Sequence, residues 1–310
     1  MTAPPLFDRA LLRRRRDRAA RRRATAVRDP EFLRDAAAAE LLDRMASISR
    51  DFALGVELGG AGAFARAWSG DAAGRAKLAW LASTDLSAAL LGTLPGTPPA
   101  ARAVIDEERL AFKDGAVDLI VAPLSLHWVD DLPGALIQIR RALKPDGVFL
   151  GALLGGATLT ELRACLIAAE SEVTSGAAAR VSPFTDVLDA AGLLQRAGFA
   201  LPVADRDTLA VDYPDPLALL HDLRAMGETS ALLDRPRRLR RAVLARAFEL
   251  YGERFPAPGG RVRATFEIVY LTGWAPHPDQ PTPKRPGSAT TRLADALGAT
   301  ERSAGERAGE

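Results

Sequence analysis

The sequence has a single cysteine, Cys165, in 310 residues. An internal disulfide and a Cys-clustered metal site are therefore excluded, and the compartment is expected to be reducing. Its three histidines, His127, His221 and His277, are scattered along the chain, so no metal is expected. Lysine is nearly absent: arginine supplies 37 of the 41 basic residues, a compositional bias that says little about partners, and no nucleic acid is expected. No apolar run reaches the roughly eighteen residues that suggest a membrane span. Hydrophobic residues at 48% and charged residues at 26% are ordinary for a soluble globular protein.

Charge is unevenly spread. Residues 1–28 carry ten arginines against Asp8 and Asp17, which makes that segment +8 and the remainder −6 for a net +2. The stretch from Leu6 to Arg23 reads as a basic helix, either solvated or docking on an acidic partner or a membrane surface. An Arg-rich, acid-poor start also fits a transit peptide. Asp29-Pro30 breaks it, and apolar residues at Leu33, Ala37, Leu41, Leu42, Met45 and Ile48 predict a second helix against the core. Three regions follow from this: residues 1–50 as N-terminal helices, 51–274 as one α/β domain with helical insertions, and 275–310 as a mostly disordered tail rich in Pro, Gly, Ser and charge.

The chain is organised around Phe52 to Phe64. An apolar run of strand length, Phe52–Leu58, stops at Gly59, Gly60 and Gly62, where the backbone can turn tightly and approach a ligand. Two patterns overlap there. Gly60 to Ala65 fits the dinucleotide form G-x-G-x-x-G/A, and Glu57 to Gly62 fits a degraded form of the acidic-x-Gly-x-Gly turn that holds S-adenosylmethionine (SAM). A second strand from Lys77 ends at Asp85, 23 residues past Gly62. A carboxylate at that point accepts from both hydroxyls of a ribose, or else it caps a helix with Ser87 as the rival cap. The third strand, Ala101–Ile105, ends at Asp106-Glu107-Glu108, where Asp106 is placed to accept from an adenine amino group. A fourth strand, Val117–Leu126, precedes His127-Trp128, and a fifth, Val148–Leu154, follows the turn Lys144-Pro-Asp-Gly147. Such alternation of strand and helix predicts an α/β, Rossmann-like sheet, mostly parallel with helices on both faces. A long closing strand, Ala264–Trp274, suits an antiparallel insertion.

At Leu124 to Pro133 and Leu143 to Leu150 the sequence resembles the complex I assembly factor five family, within the class I SAM-dependent methyltransferases. Further landmarks are Phe7-Asp8-Arg9, Asp106-Glu107-Glu108, Glu161-Leu162-Arg163, Ser182-Pro183-Phe184, Met226-Gly227-Glu228 and Gly287-Ser288-Ala289-Thr290. Because Phe7-Asp8-Arg9 and the arginines match the family's mature N-terminus, the transit-peptide reading recedes. The resemblance implies a seven-stranded sheet whose last strand is antiparallel, with SAM across the first strand ends. Glu57, Gly59 and Gly60 would then hold the methionine end, Asp85 the ribose, and Asp106 with Glu107 the adenine side. Glu57 suits the ligand's ammonium and would repel a pyrophosphate. The chain departs from the family at Ala61 and Ala63, which stand where glycines are usual.

Methyl transfer needs in-line positioning of a nucleophile, and a base only if that nucleophile is protonated. His127, just after strand four, is the candidate base, with a packed structural histidine as the alternative. Trp128 and Phe184 read as pocket wall or core, and Cys165 as core. Glu161, Arg163 and Glu228 are expected to form an ion-pair network near the substrate. The resemblance also implies complex I assembly, with a complex I subunit as protein substrate and hydroxylation of an arginine as one activity. The resulting expectation is a SAM-dependent methyltransferase acting on a protein or small acceptor, cytoplasmic and peripheral to the inner membrane. A protein-arginine hydroxylase and a non-catalytic assembly factor are the alternatives.

Overall fold

Hydrophobic runs of strand length, cut by acids and glycines, become the centre of the sheet. The structure is a computed structural model and describes residues 4–23, 31–94, 100–174, 176–184, 186–234, 238–281, 288 and 290–300. In chain order these form helices α1 (Arg9–Arg23) and α2 (Phe32–Ser47), strand β1 (Phe52–Leu58), helices α3 (Ala63–Gly70) and α4 (Ala72–Lys77), and strand β2 (Leu78–Asp85). Then come α5 (Ala88–Gly92), β3 (Ala100–Val104), β4 (Val117–Pro123), α6 (Leu132–Ala142), β5 (Leu143–Leu154), α7 (Thr160–Thr174) and α8 (Val187–Arg196). The domain closes with β6 (Ala200–Tyr213), α9 (Pro216–Met226), α10 (Arg241–Arg254), β7 (Pro256–Ala257) and β8 (Arg261–Trp274).

Strand order is β3-β2-β1-β4-β5-β8-β6, with the two-residue β7 paired to β8. β1 to β5 run parallel, and β8 inserts antiparallel between β5 and β6. The expected seven-strand path is present, with β7 as an addition. The order reverses between β1 and β4, and in such sheets the crevice at the strands' carboxyl ends is where ligands bind. Successive residues of β4 face opposite sides, as the pleat requires. Leu119 and Val121 join the core under α2, α3, α7, α9 and α10, with Phe64, Leu150 and Phe266. Ile120 faces α6 and α8 among Leu136, Ile139, Phe149 and Leu194.

Two local expectations change. Lys144 to Gly147 is not a turn ahead of a strand: β5 starts at Leu143, paired to Val117, and an irregularity at Asp118 absorbs the bend. Lys144 Nζ lies 3.0 Å from Asp118 Oδ2, and Asp146 takes a positive φ of 63°. β4 stops at Pro123, and the chain passes into a short 3-10 turn at Leu126–Trp128.

Helix α1 is not solvated all round. Leu12, Arg16, Ala19 and Ala20 are buried; their i, i+4, i+7, i+8 spacing makes one helix stripe, which packs toward α5 and α9. Arg13, Arg14, Arg18 and Arg21 lie on the opposite, exposed face. A second unit covers His277–Glu310. Within it a short helix α11 (Leu293–Leu297) ends on a left-handed Gly298. Of the tail expected to be disordered, residues 282–287, 289 and 301–310 lie outside the described residues.

Candidate functional site

The glycine turn takes its shape from four successive residues with positive φ: Gly59, Gly60, Ala61 and Gly62, with φ of 64°, 70°, 55° and 72°. The Glu57 carboxylate organises it from below. Its Oε1 accepts from Phe64 N at 2.9 Å and its Oε2 from Ser83 Oγ at 3.0 Å and Ala65 N at 3.3 Å. Those amides open α3 and have no partner within the helix, so the carboxylate satisfies them. Full burial pushes the Glu57 pKa up to about 7, against the pull of those same hydrogen bonds. The Ala61 methyl packs with Ala20 of α1 and Leu90 of α5, and Ala63 joins the core beside Phe64.

The strand-end acids gather around two arginines of α1. Asp85 Oδ1 accepts from Ser87 N at 2.8 Å and from Arg16 at 3.3 Å. Its Oδ2 is buried without a partner. Ser87 caps α5 by accepting from Leu90 N, so the rival cap is the real one. Glu107 is fully buried, with Oε1 2.7 Å from Arg16 and Oε2 on Arg9, which also pairs with Asp106. Burial alone would raise both acids. For Asp85 it prevails, while at Glu107 the guanidiniums of Arg16 and Arg9 hold the carboxyl below its ordinary value.

Farther along the sheet edge the chain builds a different site. Leu124 has a φ of 53°, a strained value for a branched side chain, and the kink lets Ser125 Oγ donate to Leu58 O at 2.6 Å. His127 then turns inward, with Nε2 3.1 Å from Glu228 Oε2, which also accepts from Trp128 Nε1 at 2.8 Å. Glu228 follows Gly227, the left-handed cap of α9, and pairs with Arg34 of α2. Burial would raise its pKa, but Arg34 and His127 outweigh it and leave the carboxyl at about 2. An ionised carboxylate only accepts, so His127 Nε2 is the donor of this pair. Nδ1 is buried and has no hydrogen-bond partner.

Two cavities flank this pair. One, of about 230 Å³, is lined by Trp128, Leu159, Ser182, Phe184, Glu228 and Phe266, among others. Another, of about 240 Å³, is lined by His127 with Phe7, Leu126, Pro183 and Phe184. Glu57, Asp85 and Glu107 line neither.

The structure thus brings Glu57, Gly59, Gly60, Asp85, Asp106 and Glu107 to the carboxyl edge of β1 to β3, and His127 to the neighbouring edge after β4. Only Glu228 of the expected ion-pair trio belongs there. Glu161 accepts from Thr265 N, and Arg163 donates to Gly156 and Thr158 carbonyls. Cys165 is core, its thiol pushed up to about 11 by burial. Among the described residues no group of three His, Cys, Asp or Glu side chains is arranged to hold a metal ion. Sequence reasoning missed Arg9, Arg16 and Arg34. Only the helix stripe through Leu12, Arg16 and Ala19 marks Arg16 out from its neighbours.

Residues 57–151 match the methyltransferase domain family. The chain is 39% identical to the mitochondrial arginine-hydroxylase NDUFAF5 of Danio rerio, over 94% of this chain and 89% of that protein. It is 37% identical to a malonyl-[acyl-carrier protein] O-methyltransferase of Halorhodospira halophila, over 54% of this chain and 56% of that one. The crystal structure of a Bacillus halodurans protein assigned as a methyltransferase superposes with a TM-score of 0.53 at 15% identity, over 77% of this chain and 99% of that one. At that identity the likeness is one of fold.

Proposed function

The chain belongs to the arginine-hydroxylase NDUFAF5 family, built on a methyltransferase domain, and from that premise we propose that it is a SAM-dependent methyltransferase that modifies a protein side chain in complex I assembly. SAM is the cofactor of this domain family. The residues fit it in chemistry: Asp85 retains a buried carboxylate oxygen with no partner, the acceptor a ribose hydroxyl requires. Asp85, Asp106 and Glu107 would hold the nucleoside, and Gly59 and Gly60 would pass under the methionine end. Glu57 acts from beneath the turn, because its oxygens are engaged by Phe64, Ala65 and Ser83.

When bound, the cofactor supplies an electrophilic methyl group. The chain supplies the rest. The His127–Glu228 pair carries this reading: the carboxylate holds the imidazole in the tautomer whose Nδ1 can take a proton from an acceptor as its nucleophilic atom bonds to carbon. Phe7, Leu126 and Phe184, which line the cavity beside His127, would exclude water around the acceptor. Arginine hydroxylation is the second reading, favoured by the activity named for the 39% identical relative.

Mass spectrometry of complex I subunits from a deletion strain, complemented with wild type or with His127→Gln, separates these readings. Methyl transfer expects one residue to lose a methyl's mass in the deletion and in the His127→Gln strain. Loss of an oxygen's mass instead would establish hydroxylation. Loss of neither, with complex I still unassembled, would leave a non-catalytic assembly factor. For placement, the exposed arginines Arg13, Arg14, Arg18 and Arg21 suit an acidic partner or an anionic membrane face, on the cytoplasmic side of the inner membrane. Among the described residues no helix is long and apolar enough to cross a membrane.

A further inference from the structure

The nucleoside end of the cleft is filled by the chain itself. A Cβ added at Gly59 would lie 2.4 Å from Ser125 Cβ and 2.8 Å from Glu107 Oε1. At Gly60 it would lie 2.3 Å from Pro123 Cγ, and at Gly62 2.1 Å from Leu94 Cδ2. Where a Cβ would stand, these glycines are thus met by Ser125 and Glu107, by Pro123 and by Leu94. Over them sits Arg16, its side chain 3% exposed, bridging Asp85 and Glu107, each 1% exposed. Among the described residues, Arg16 occupies the position against the two acids that a nucleoside would need while α1 is docked.

Two features argue that Arg16 is a replaceable occupant. Asp85 keeps one buried oxygen without a donor although a guanidinium lies against the other; a permanent structural pair would be expected to satisfy both. The remaining grip of α1 is mostly polar: Arg9 to Asp106, Glu107 and the Trp128 carbonyl, Asp17 to Ser87, Arg15 to the Thr229 carbonyl, and Arg23 to Glu31 and Thr93. Its buried apolar side chains are Leu12, Ala19 and Ala20, little area for a helix of 15 residues. Elements with few buried apolar contacts open at low free-energy cost.

Resting on the reading that SAM is taken at Asp85, we infer that α1 is a tethered plug of the nucleoside site and that docking of Arg16 and binding of the cofactor are mutually exclusive. The cofactor binds the undocked form, and its apparent affinity is the intrinsic affinity reduced by the fraction of chains with α1 undocked. A change that loosens α1 without touching the acids then tightens cofactor binding. Leu12 provides it, since its side chain packs in an apolar cluster with Phe7, Trp128, Ala231 and Leu232.

Hydrogen exchange of the full chain, with SAM or S-adenosylhomocysteine titrated in, gives opposite signs for a plug and for a lid. The expected result is faster exchange of the amides of residues 9–23 at saturating ligand, and an affinity by calorimetry about tenfold higher in Leu12→Ser than in wild type. Exchange that is slowed or unchanged in α1, with ligand bound, would overturn the plug and leave the proposed activity standing. Weaker binding in Leu12→Ser, with its melting transition intact, would do the same. Absence of heat with either ligand in both proteins would overturn the cofactor reading and this inference together.

Discussion

The two ends of the sheet's carboxyl edge solve the burial of charge in opposite ways. Around Asp85 and Glu107, acids and arginines neutralise one another in a sealed cluster. Around His127 and Glu228, one carboxylate holds an imidazole, the two side chains line separate cavities, and His127 Nδ1 and Ser182 Oγ are unpartnered. Burying a charge is tolerable only with a partner, so at the first end Arg9 and Arg16 stand against the acids, while at the second His127 lies beside a cavity. A site for chemistry needs the second condition, and a site that excludes its ligand until triggered needs the first.

The sharpest way to break this contrast is to remove the shared cation. Arg16→Met leaves Asp85 and Glu107 buried without Arg16, and should destabilise the fold by about 3–5 kcal/mol in urea unfolding. A loss below about 1 kcal/mol would mean that water reaches the acids. Next, His127→Gln should lower turnover on the identified acceptor by about 10²-fold or more while the melting transition holds. An unchanged rate would make His127 a packed structural histidine.

Acid titration sharpens the comparison further, because two buried glutamates respond with opposite sign. Glu228, depressed from 4.5 to about 2, contributes stability that is present above pH 4.5 and lost as pH falls toward 2. Glu57, raised from 4.5 to about 7, contributes stability that is full below pH 4.5 and lost as pH rises through 7. Denaturation midpoints across pH should therefore lose their acid limb in Glu228→Gln and flatten between 4.5 and 7 in Glu57→Gln. The same slopes in both variants would refute the assignment. The smallest effect is the control: Arg141 and Asp114 pair at 2.9 Å with side chains 57% and 65% exposed. Arg141→Ala should cost about 0.5 kcal/mol or less, which isolates burial as the cause of the Arg16 effect.

Much of the sheet is legible in the sequence because each buried strand is a short apolar run ended by an acid or a glycine. Leu58-Gly59 and Thr84-Asp85 fall at strand ends for that reason, whereas the fourth strand, read to Leu126, stops at Pro123. The candidate acids were legible too, since the carboxyl end of a parallel strand is fixed once the strand is read. The partners of those acids were not. His127 and Glu228 meet across 101 residues and Arg16 and Glu107 across 91, and no local period encodes such a meeting. The turn at Lys144 misled for a related reason: Pro-Asp-Gly chemistry signals a turn, but pairing with Val117 drew the segment into β5.

By itself, then, the sequence determined the α/β alternation, the glycine turn and which acids stand at strand ends, because these follow from burial period and backbone freedom within a few residues. Only the tertiary structure decided that two of ten N-terminal arginines, Arg9 and Arg16, enter the acid cluster, that Glu57 supports the turn from below, and that His127 has a carboxylate to orient it. Charge pairing has no sequence period. It is selected by which side chains the packed elements bring within about 3 Å of each other, where electrostatic attraction can offset the loss of water.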